Sequence, residues 1–176
     1  MRDYTLSQRL LNRLRYSTST MSSKPNHTHT TDESSELGPQ KTVAGFAEAI
    51  IRRLIRAADE VRKNAYVPYS GYHVGAAVFT KSGMVFTGCN VENASYGLTN
   101  CAERSAIFTA IGEGQREFVA IAVVTDQGWS PCGACRQVIR EFGDNIAVII
   151  ADGKGNYTST TSGALLPSGF SAADMK

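Results

Sequence analysis

Two short segments of the 176-residue chain concentrate side chains that could bind a metal and move a proton. The first is CAER at residues 101–104, and the second is SPCGACRQ at residues 130–137. Thiolates from Cys101, Cys132 and Cys135 can fill three corners of a tetrahedron around Zn²⁺, at metal–sulfur distances of about 2.3 Å. Each segment lies at a predicted helix start, where the positive end of the helix dipole favours thiolate over thiol. The sequence therefore predicts a zinc site with one position left for water.

Glu103 follows a predicted ligand by two residues, so we expect its carboxylate near the metal but not bound to it. Zinc lowers the pKa of water from about 15.7 to about 9 in the aqua ion, and a nearby carboxylate can accept the proton that is released. Three thiolates leave one negative charge in excess on the dication. Arg104 and Arg136 are therefore predicted to donate hydrogen bonds to the sulfurs. Taken alone, Glu103 would be a first-turn glutamate stabilised by the helix dipole.

The role of Cys89, the remaining cysteine, decides whether the predicted metal site is catalytic or structural. If its thiol completed the tetrahedron, the protein would be a zinc-stabilised binding or scaffold protein without turnover. An isolated cysteine is more typical of core packing, which is what we expect for Cys89. A further alternative is a redox protein that uses Cys132 and Cys135 as a dithiol, forms a reversible disulfide and holds no tight zinc.

The elements that position these segments predict an α/β protein. Apolar residues at helical spacing predict a long amphipathic helix over residues 43–61, and Pro68 prevents its continuation. Two further helices and five strands are predicted over residues 101–112 and 133–142, and over residues 73–80, 84–88, 118–125, 146–151 and 157–161. With the last strand at an edge, this order predicts a mixed five-stranded sheet in a three-layer α/β/α sandwich.

The composition changes near residue 40. Residues 17–35 are dominated by Ser and Thr, so we expect residues 1–40 to be a disordered extension. Within residues 1–20, leucines at helical spacing among arginines are typical of a mitochondrial transit peptide. The alternative is an untargeted extension of a cytoplasmic protein. Residues 41–176 are predicted to form one folded domain.

Charge and cysteine content exclude several classes of protein. Lys and Arg number 18 against 16 Asp and Glu, which gives a formal net charge of +2. This balance argues against a polymeric nucleic acid partner. The longest apolar run is far shorter than the ~20 residues that span a membrane, so we expect no membrane association. Four cysteines are too few for the disulfide scaffold of a small secreted protein.

Taken together, the motifs resemble those of the homotetrameric cytidine deaminases of pyrimidine salvage. The resemblance extends over residues 43–175 and implies a cytidine-deaminase-like fold. It also implies one Zn²⁺ per subunit, held by Cys101, Cys132 and Cys135, with Glu103 as the proton shuttle. The motifs that carry it are AYVPYS at residues 65–70, VGAA at 74–77, GCNVENA at 88–94, CAER at 101–104, SPCGACRQ at 130–137 and LLP at 165–167.

Roles for residues that contact the substrate follow from the same resemblance. Asn90 and Glu92 match the pair that holds the ribose hydroxyls, and backbone groups of Ala102 and Ser130 match those that contact the base. Phe170 matches a C-terminal aromatic residue that reaches the site of a neighbouring subunit, which implies a homotetramer with shared sites.

The implied reaction is the hydrolytic deamination of free cytidine and 2′-deoxycytidine to uridine and 2′-deoxyuridine. In the family's mechanism a zinc-bound hydroxide attacks C4, while Glu103 protonates N3 and then the leaving amino group. Tyr72 stands where the family usually has a phenylalanine packed against the base, and its hydroxyl alters the shape of that pocket. Deaminases of aminonucleoside antibiotics share similar motifs and are the nearest alternative, but Asn90 with Glu92 favours an ordinary ribonucleoside.

Overall fold

The computed structural model describes residues 46–175 and shows one sheet with helices on both faces. Its elements in chain order are α1 (Glu48–Arg62), β1 (Gly75–Thr80), β2 (Val85–Cys89), α2 (Ala102–Gly112), β3 (Phe118–Val124), α3 (Gly133–Arg140), β4 (Ala147–Ala151), β5 (Tyr157–Thr161) and α4 (Ser162–Leu165). The predicted helices and strands are confirmed, with small differences at their ends. The one-turn helix α4 and 3₁₀ turns at Tyr96–Leu98 and Ala172–Met175 add to the predicted elements.

The sheet is mixed, as predicted. Its strand order is β2-β1-β3-β4-β5, so β5 is an edge strand. Strand β1 is antiparallel to both β2 and β3, β3 is parallel to β4, and β4 is antiparallel to β5. Gly75, at the start of β1, pairs with Cys89 on one side and with Val124 on the other. The carboxyl ends of β2 and β3 therefore meet at one edge of the sheet.

Two separate apolar cores confirm the three-layer arrangement. On one face, α1 buries Ile51, Leu54 and Ala58 against the sheet. On the other face, α2 and α3 bury side chains that include Ile107 and Ile139. Successive residues of a strand point to opposite faces, so residues 76–78 of β1 and 120–124 of β3 contribute to the two cores alternately. The alternation breaks at Phe118, where the pairing of β3 with β1 shifts register. The strand residues of the first core are Ala77, Ala120, Ala122, Val124, Ala147, Ile149 and Ala151, and those of the second are Ala76, Val78, Phe118, Ile121, Val123 and Val148.

Two strand glycines let the helices approach the sheet closely. A Cβ at Gly75 would overlap the backbone carbonyl of Ala58 in α1, and a Cβ at Gly88 would overlap the backbone nitrogen of Ala106 in α2. Both helix alanines are fully buried. Since α2 also carries the CAER segment, the contact at Gly88 fixes how far that segment lies from the sheet.

Two sequence-based expectations concern residues outside those that the structure describes. They are the disordered extension over residues 1–40, with its leader-like start at 1–20, and residues 43–45 of the first predicted helix. Within the described residues that helix begins at Glu48, later than predicted, because Ala47 has extended backbone. Between residues 46 and 175, no helix is long and apolar enough to cross a membrane.

We expect Gly88→Ala to destabilise the protein, because the added methyl group meets helix backbone that cannot rotate away. Overpacking of this kind costs about 1–3 kcal/mol. Gly112→Ala is the matched control, since its Cβ would meet no atom within 4 Å, and a helical alanine is favoured over glycine by roughly 0.5–1 kcal/mol. Urea unfolding of the two variants measures the difference. Equal midpoints for Gly88→Ala and the wild type would contradict the tight contact.

Candidate active site

The topology explains why two distant segments share one site. Helix α2 leads from β2 to β3, and α3 leads from β3 to β4, so both helices begin beyond the carboxyl ends of strands that meet at one sheet edge. Cys101 is the residue before α2 and Cys132 the residue before α3, both with extended backbone. Their sulfurs therefore lie at two helix N-termini, whose partial positive charge stabilises thiolate.

The sulfur atoms of Cys101, Cys132 and Cys135 all lie within 4.8 Å of one another. The distance from Cys101 Sγ to Cys132 Sγ is 3.9 Å. An ideal tetrahedral zinc site with metal–sulfur bonds of about 2.3 Å has sulfur–sulfur distances of about 3.8 Å. Within residues 46–175 this is the one group of three potential metal ligands. Donor type and spacing both fit zinc, which prefers thiolates.

The pKa shifts of the cysteine thiols also fit a site for a bound cation. A hydrogen bond from Cys135, with the nearby Arg104 guanidinium, lowers the pKa of Cys101 to about 5. The pKa of Cys135 is raised, first because its proton is held in that hydrogen bond and then because the thiol is buried. Three thiolates this close together would repel one another. A dication bound by them would neutralise that repulsion.

Glu103 lies beside the sulfurs in the first turn of α2. Its side chain is almost fully buried, at 4% exposure. Burial is the main reason that the pKa of Glu103 is raised, and the charge of Cys101 adds to it. A hydrogen bond with Cys135 and the charge of Arg104 act in the opposite direction. A carboxyl group whose pKa is shifted toward neutrality is suited to both accepting and returning a proton.

The two arginines hold the sulfur-bearing segments in different ways. Arg104 donates from Nη2 to Cys101 Sγ at 3.5 Å and to the Thr99 carbonyl at 3.1 Å. The structure gives Arg136 no such hydrogen bond to a described sulfur, contrary to expectation. Its guanidinium is taken up by other acceptors: the Pro131 carbonyl at 2.8 Å, Ser130 Oγ at 3.1 Å and the Leu165 carbonyl at 3.2 Å. Arg136 thereby ties the loop before α3 to the last residue of α4.

A cavity of about 340 Å³ opens above the sulfurs and contains most of the predicted site residues. Asn90 and Glu92 lie in its wall together, as their alternation on an extended segment predicts. Ser70, the last residue of the AYVPYS motif, also lines it, although the sequence patterns assign it no role. Thr99, Thr125 and Trp129 line it as well and lie outside the quoted motifs. The full described lining is Ser70, Tyr72, Val74, Asn90, Glu92, Thr99, Cys101, Glu103, Val123, Thr125, Trp129, Ser130 and Cys132.

The polar side chains of this wall are fixed by backbone groups. Asn90 Oδ1 accepts a hydrogen bond from Val74 N at 2.9 Å, and its Nδ2 donates to the Tyr72 carbonyl at 2.8 Å. The Glu92 carboxylate accepts from Tyr69 N at 2.9 Å and from Ser70 N at 3.2 Å. Hydrogen bonding to Ser70 is the main reason that the pKa of Glu92 is lowered, so the carboxylate is held ionised.

Some candidates lie outside this cavity. Ala102 is buried at the first position of α2, and its side chain is not part of the cavity lining. Phe170 is 58% exposed, and its carbonyl accepts a hydrogen bond from Gln137, so it does not reach the cavity of its own chain. Cys89 is only half-buried at the end of β2, which corrects the expectation of core packing. It is also absent from the sulfur cluster, which argues against a closed four-cysteine site.

Comparison with known proteins agrees with the family resemblance that the sequence motifs indicate. The family model for the cytidine and deoxycytidylate deaminase zinc-binding region matches residues 49–151. A cytidine deaminase from Halalkalibacterium halodurans is 51% identical over 125 residues, which cover 69% of this chain and 95% of that protein. One from Sporosarcina psychrophila is 47% identical over 128 residues, covering 71% and 94%. The crystal structure of cytidine deaminase from Burkholderia pseudomallei superimposes with a TM-score of 0.65 at 52% identity, covering 67% of this chain and 97% of that chain.

We expect the purified protein to contain about one zinc ion per chain, because three ligands meet at a single point. Cys101→Ser and Cys132→Ser should lose most of this zinc, since each removes one thiolate. Cys89→Ser is the matched control and should keep it. Elemental analysis after dialysis measures the content. Full zinc in Cys132→Ser, or loss in Cys89→Ser, would contradict the ligand set.

Proposed function

The chain belongs to the family of zinc-binding cytidine and deoxycytidylate deaminases, and from this membership we propose that it deaminates free cytidine and 2′-deoxycytidine in pyrimidine salvage. The products are uridine or 2′-deoxyuridine and ammonia. One observation carries the proposal: Cys101, Cys132 and the buried carboxyl group of Glu103 line one cavity, and the buried Cys135 completes the group of three sulfurs suited to zinc. A cytosine ring held there would present C4 and its amino group to both.

The charge of the cavity favours a nucleoside over a nucleotide. Its described lining includes two carboxyl groups, Glu92 and Glu103, and no Lys, Arg or His. The phosphate of a nucleotide, or of a polynucleotide, would enter a negative field without a cation to receive it. Within a family whose members act on nucleosides and nucleotides, this lining supports the uncharged substrate.

Asn90 and Glu92 are the proposed contacts of the sugar. Each Asn90 amide atom already makes one hydrogen bond to the backbone, which leaves one N–H and one oxygen lone pair for a ligand. The ionised Glu92 carboxylate accepts from two amides and has further acceptor capacity for hydroxyl groups. An amide and a carboxylate side by side suit a pair of vicinal hydroxyls, and either one would still bind the single hydroxyl of a deoxyribose.

In the proposed mechanism, Cys101, Cys132 and Cys135 hold Zn²⁺, which when bound supplies a Lewis acid that lowers the pKa of water. Glu103 accepts a proton from the attacking water and donates it to N3 of the ring, so C4 becomes electrophilic. After the water oxygen has bonded to C4, Glu103 takes the remaining proton from that oxygen and passes it to the amino group. The C4–N bond then breaks, ammonia leaves, and the oxygen remains as the C4 carbonyl of the uracil ring. Burial raises the pKa of Glu103, which is the direction that a carboxyl group acting as both proton acceptor and donor requires.

Backbone groups complete the proposed contacts to the base. The N–H of Ala102 is at the first position of α2, where an α-helix leaves its amides without intrahelical partners. Ser130 lies in the cavity wall just before Cys132, and Arg136 holds both its hydroxyl and the following carbonyl. We propose that these two positions bind the carbonyl and the amino group of the cytosine ring.

A homotetramer with shared sites is the proposed assembly. A second cavity of about 360 Å³ adjoins the first, shares Ser70, Glu92 and Thr99 with it, and has Tyr69 and Tyr96 as aromatic walls. The two tyrosines are 52% and 75% exposed. We propose that Phe170 from a neighbouring copy covers this second cavity. Sedimentation of the protein as a monomer would contradict the assembly.

For the compartment, we propose the cytoplasm, because zinc ligation needs the thiols reduced. The leader-like residues 1–20 make the mitochondrion the alternative. The mass of the native N-terminal peptide separates the two, since a transit peptide is removed after import.

We expect Glu103→Gln to lower kcat for cytidine by at least about 100-fold, because the amide cannot relay protons. Its zinc content and thermal stability should stay near wild type, since Gln fills the same volume. Glu113→Gln, an exposed position just after α2, is the control and should remain active. Loss of absorbance on conversion to uridine, together with released ammonia, measures turnover. Near-normal kcat in Glu103→Gln would contradict the mechanism.

The same assay tests the substrate class. Wild-type protein should act on cytidine and 2′-deoxycytidine, and at least about 100-fold less well on cytidine 5′-monophosphate, because a phosphate has no cation to bind in the cavity. Preference for the monophosphate would contradict the nucleoside assignment. Preference for an aminonucleoside antibiotic over cytidine would support the alternative deaminase class.

A further inference from the structure

The catalytic cavity has an aromatic wall that neither the sulfurs nor Glu103 explain. Tyr72 and Trp129 both line the cavity, with ring centroids 5.9 Å apart and ring planes inclined at 47°. Trp129 is the only tryptophan of the chain, and it is 63% exposed. Large apolar side chains left in water at the rim of a cavity mark a surface that a ligand can cover.

Trp129 is exposed although its backbone is firmly held. Its N–H donates to Thr125 Oγ1 at 2.8 Å, and Thr125 is buried at 3% exposure. Gly128 makes the turn before it with φ of +72°, a conformation that favours glycine. Gln127 forms a bridge with Asp152, just beyond β4. The position of the indole at the cavity is therefore set by a turn whose backbone is fixed by hydrogen bonds.

Gln127 also fixes the second ring of the wall. Tyr72 Oη donates to Gln127 Oε1 at 2.9 Å. The Tyr72 backbone is held at both ends, because its N–H donates to Ser70 Oγ at 2.9 Å and its carbonyl accepts from Asn90 at 2.8 Å. Since Gln127 lies two residues before Trp129, one short loop sets the position of both rings.

We infer that Trp129 is a substrate-binding residue whose indole packs against the pyrimidine ring, and that Gln127 is a positioning residue that holds Tyr72 as the other half of this wall. The inference deepens the proposed function and rests on it. The polar wall of Asn90 and Glu92 suits the sugar, and the sulfurs and Glu103 suit C4 and its amino group. The faces and remaining edges of the heterocycle are left for Tyr72 and Trp129.

Kinetics of Trp129 variants test the contact directly. Truncating an aromatic that packs on a base weakens binding by roughly ten- to hundred-fold, so Trp129→Ala should raise KM for cytidine about ten-fold or more, with kcat changed much less. Trp129→Phe keeps a ring and should recover most of the affinity. Phe108→Ala is the matched control, since Phe108 is 52% exposed and outside the described cavity lining.

A double-mutant comparison of Gln127 and Tyr72 tests the positioning role of Gln127. Gln127→Leu removes the acceptor of the Tyr72 hydroxyl and should raise KM without lowering kcat, as should Tyr72→Phe. The double variant should be no worse than either single one, because both remove one hydrogen bond. Gln127→Glu keeps an acceptor oxygen and should behave as wild type. Additive effects of the two single changes would overturn the positioning role.

The single tryptophan also gives a binding assay that needs no turnover. Uridine, the reaction product, should change Trp129 fluorescence saturably, at a concentration that matches its inhibition constant. Unchanged emission on binding, or an unchanged KM in Trp129→Ala, would overturn the inference. A Trp129→Ala variant that dissociates into smaller species while its KM is unchanged would assign the indole to a subunit contact, and would also overturn it. Absence of cytidine turnover in wild-type protein would contradict the proposed function instead.

Discussion

Repulsion among three sulfur atoms held within 4.8 Å of one another governs the structure of the site. The pKa of Cys101 is lowered and that of Cys135 is raised, because a hydrogen bond joins the two sulfurs and a second negative charge beside the first is unfavourable. A dication turns this unfavourable cluster into a strong binding site. Arg104 adds one positive charge beside Cys101. The pKa of the buried Glu103 is raised by the charge of Cys101 and lowered by that of Arg104.

The scaffold meets this constraint by rigid, close packing. Strands β2 and β3 end at the same sheet edge, so two crossover helices deliver their first residues to one point. Gly88 lets α2 rest directly on the sheet, and Arg136 and Arg140 bind the Leu165 and Leu166 carbonyls to α3. Catalysis needs groups held to within fractions of an ångström, and helices fixed on a sheet provide that better than loops do.

Much of this architecture could be predicted from periodicity and spacing. The apolar pattern of α1 and the β-branched runs of β3 and β4 are local signals, and the fold they predict is the one observed. The CxxC spacing and the CAE motif likewise pointed to the three sulfurs that the structure brings together. Several motifs in a fixed order added the family resemblance, which matched relatives then supported.

Other features depend on contacts that no local pattern encodes. The acceptors of Arg136 include Leu165, which is 29 residues away, so its hydrogen bonds could not be inferred from the motif. Trp129 carries no periodic or metal-ligand signal, and only the cavity reveals its position. Cys89 is half-buried because the register of β2 against Gly75 places it at the strand end. The proposed place of Phe170 in the site of a neighbouring copy comes from the resemblance, because a contact between copies leaves no spacing or periodicity in the sequence.

The 3.9 Å distance between the Cys101 and Cys132 sulfurs also affects the stability of the whole chain, because these residues are 31 positions apart in the sequence. An ion bonded to both acts as a cross-link, and a closed loop of that length lowers the conformational entropy of a denatured chain by an amount worth about 3–4 kcal/mol. Bound zinc would thus stabilise the folded chain in the way that a disulfide stabilises a secreted domain. Unlike a disulfide, this cross-link forms again whenever the metal rebinds.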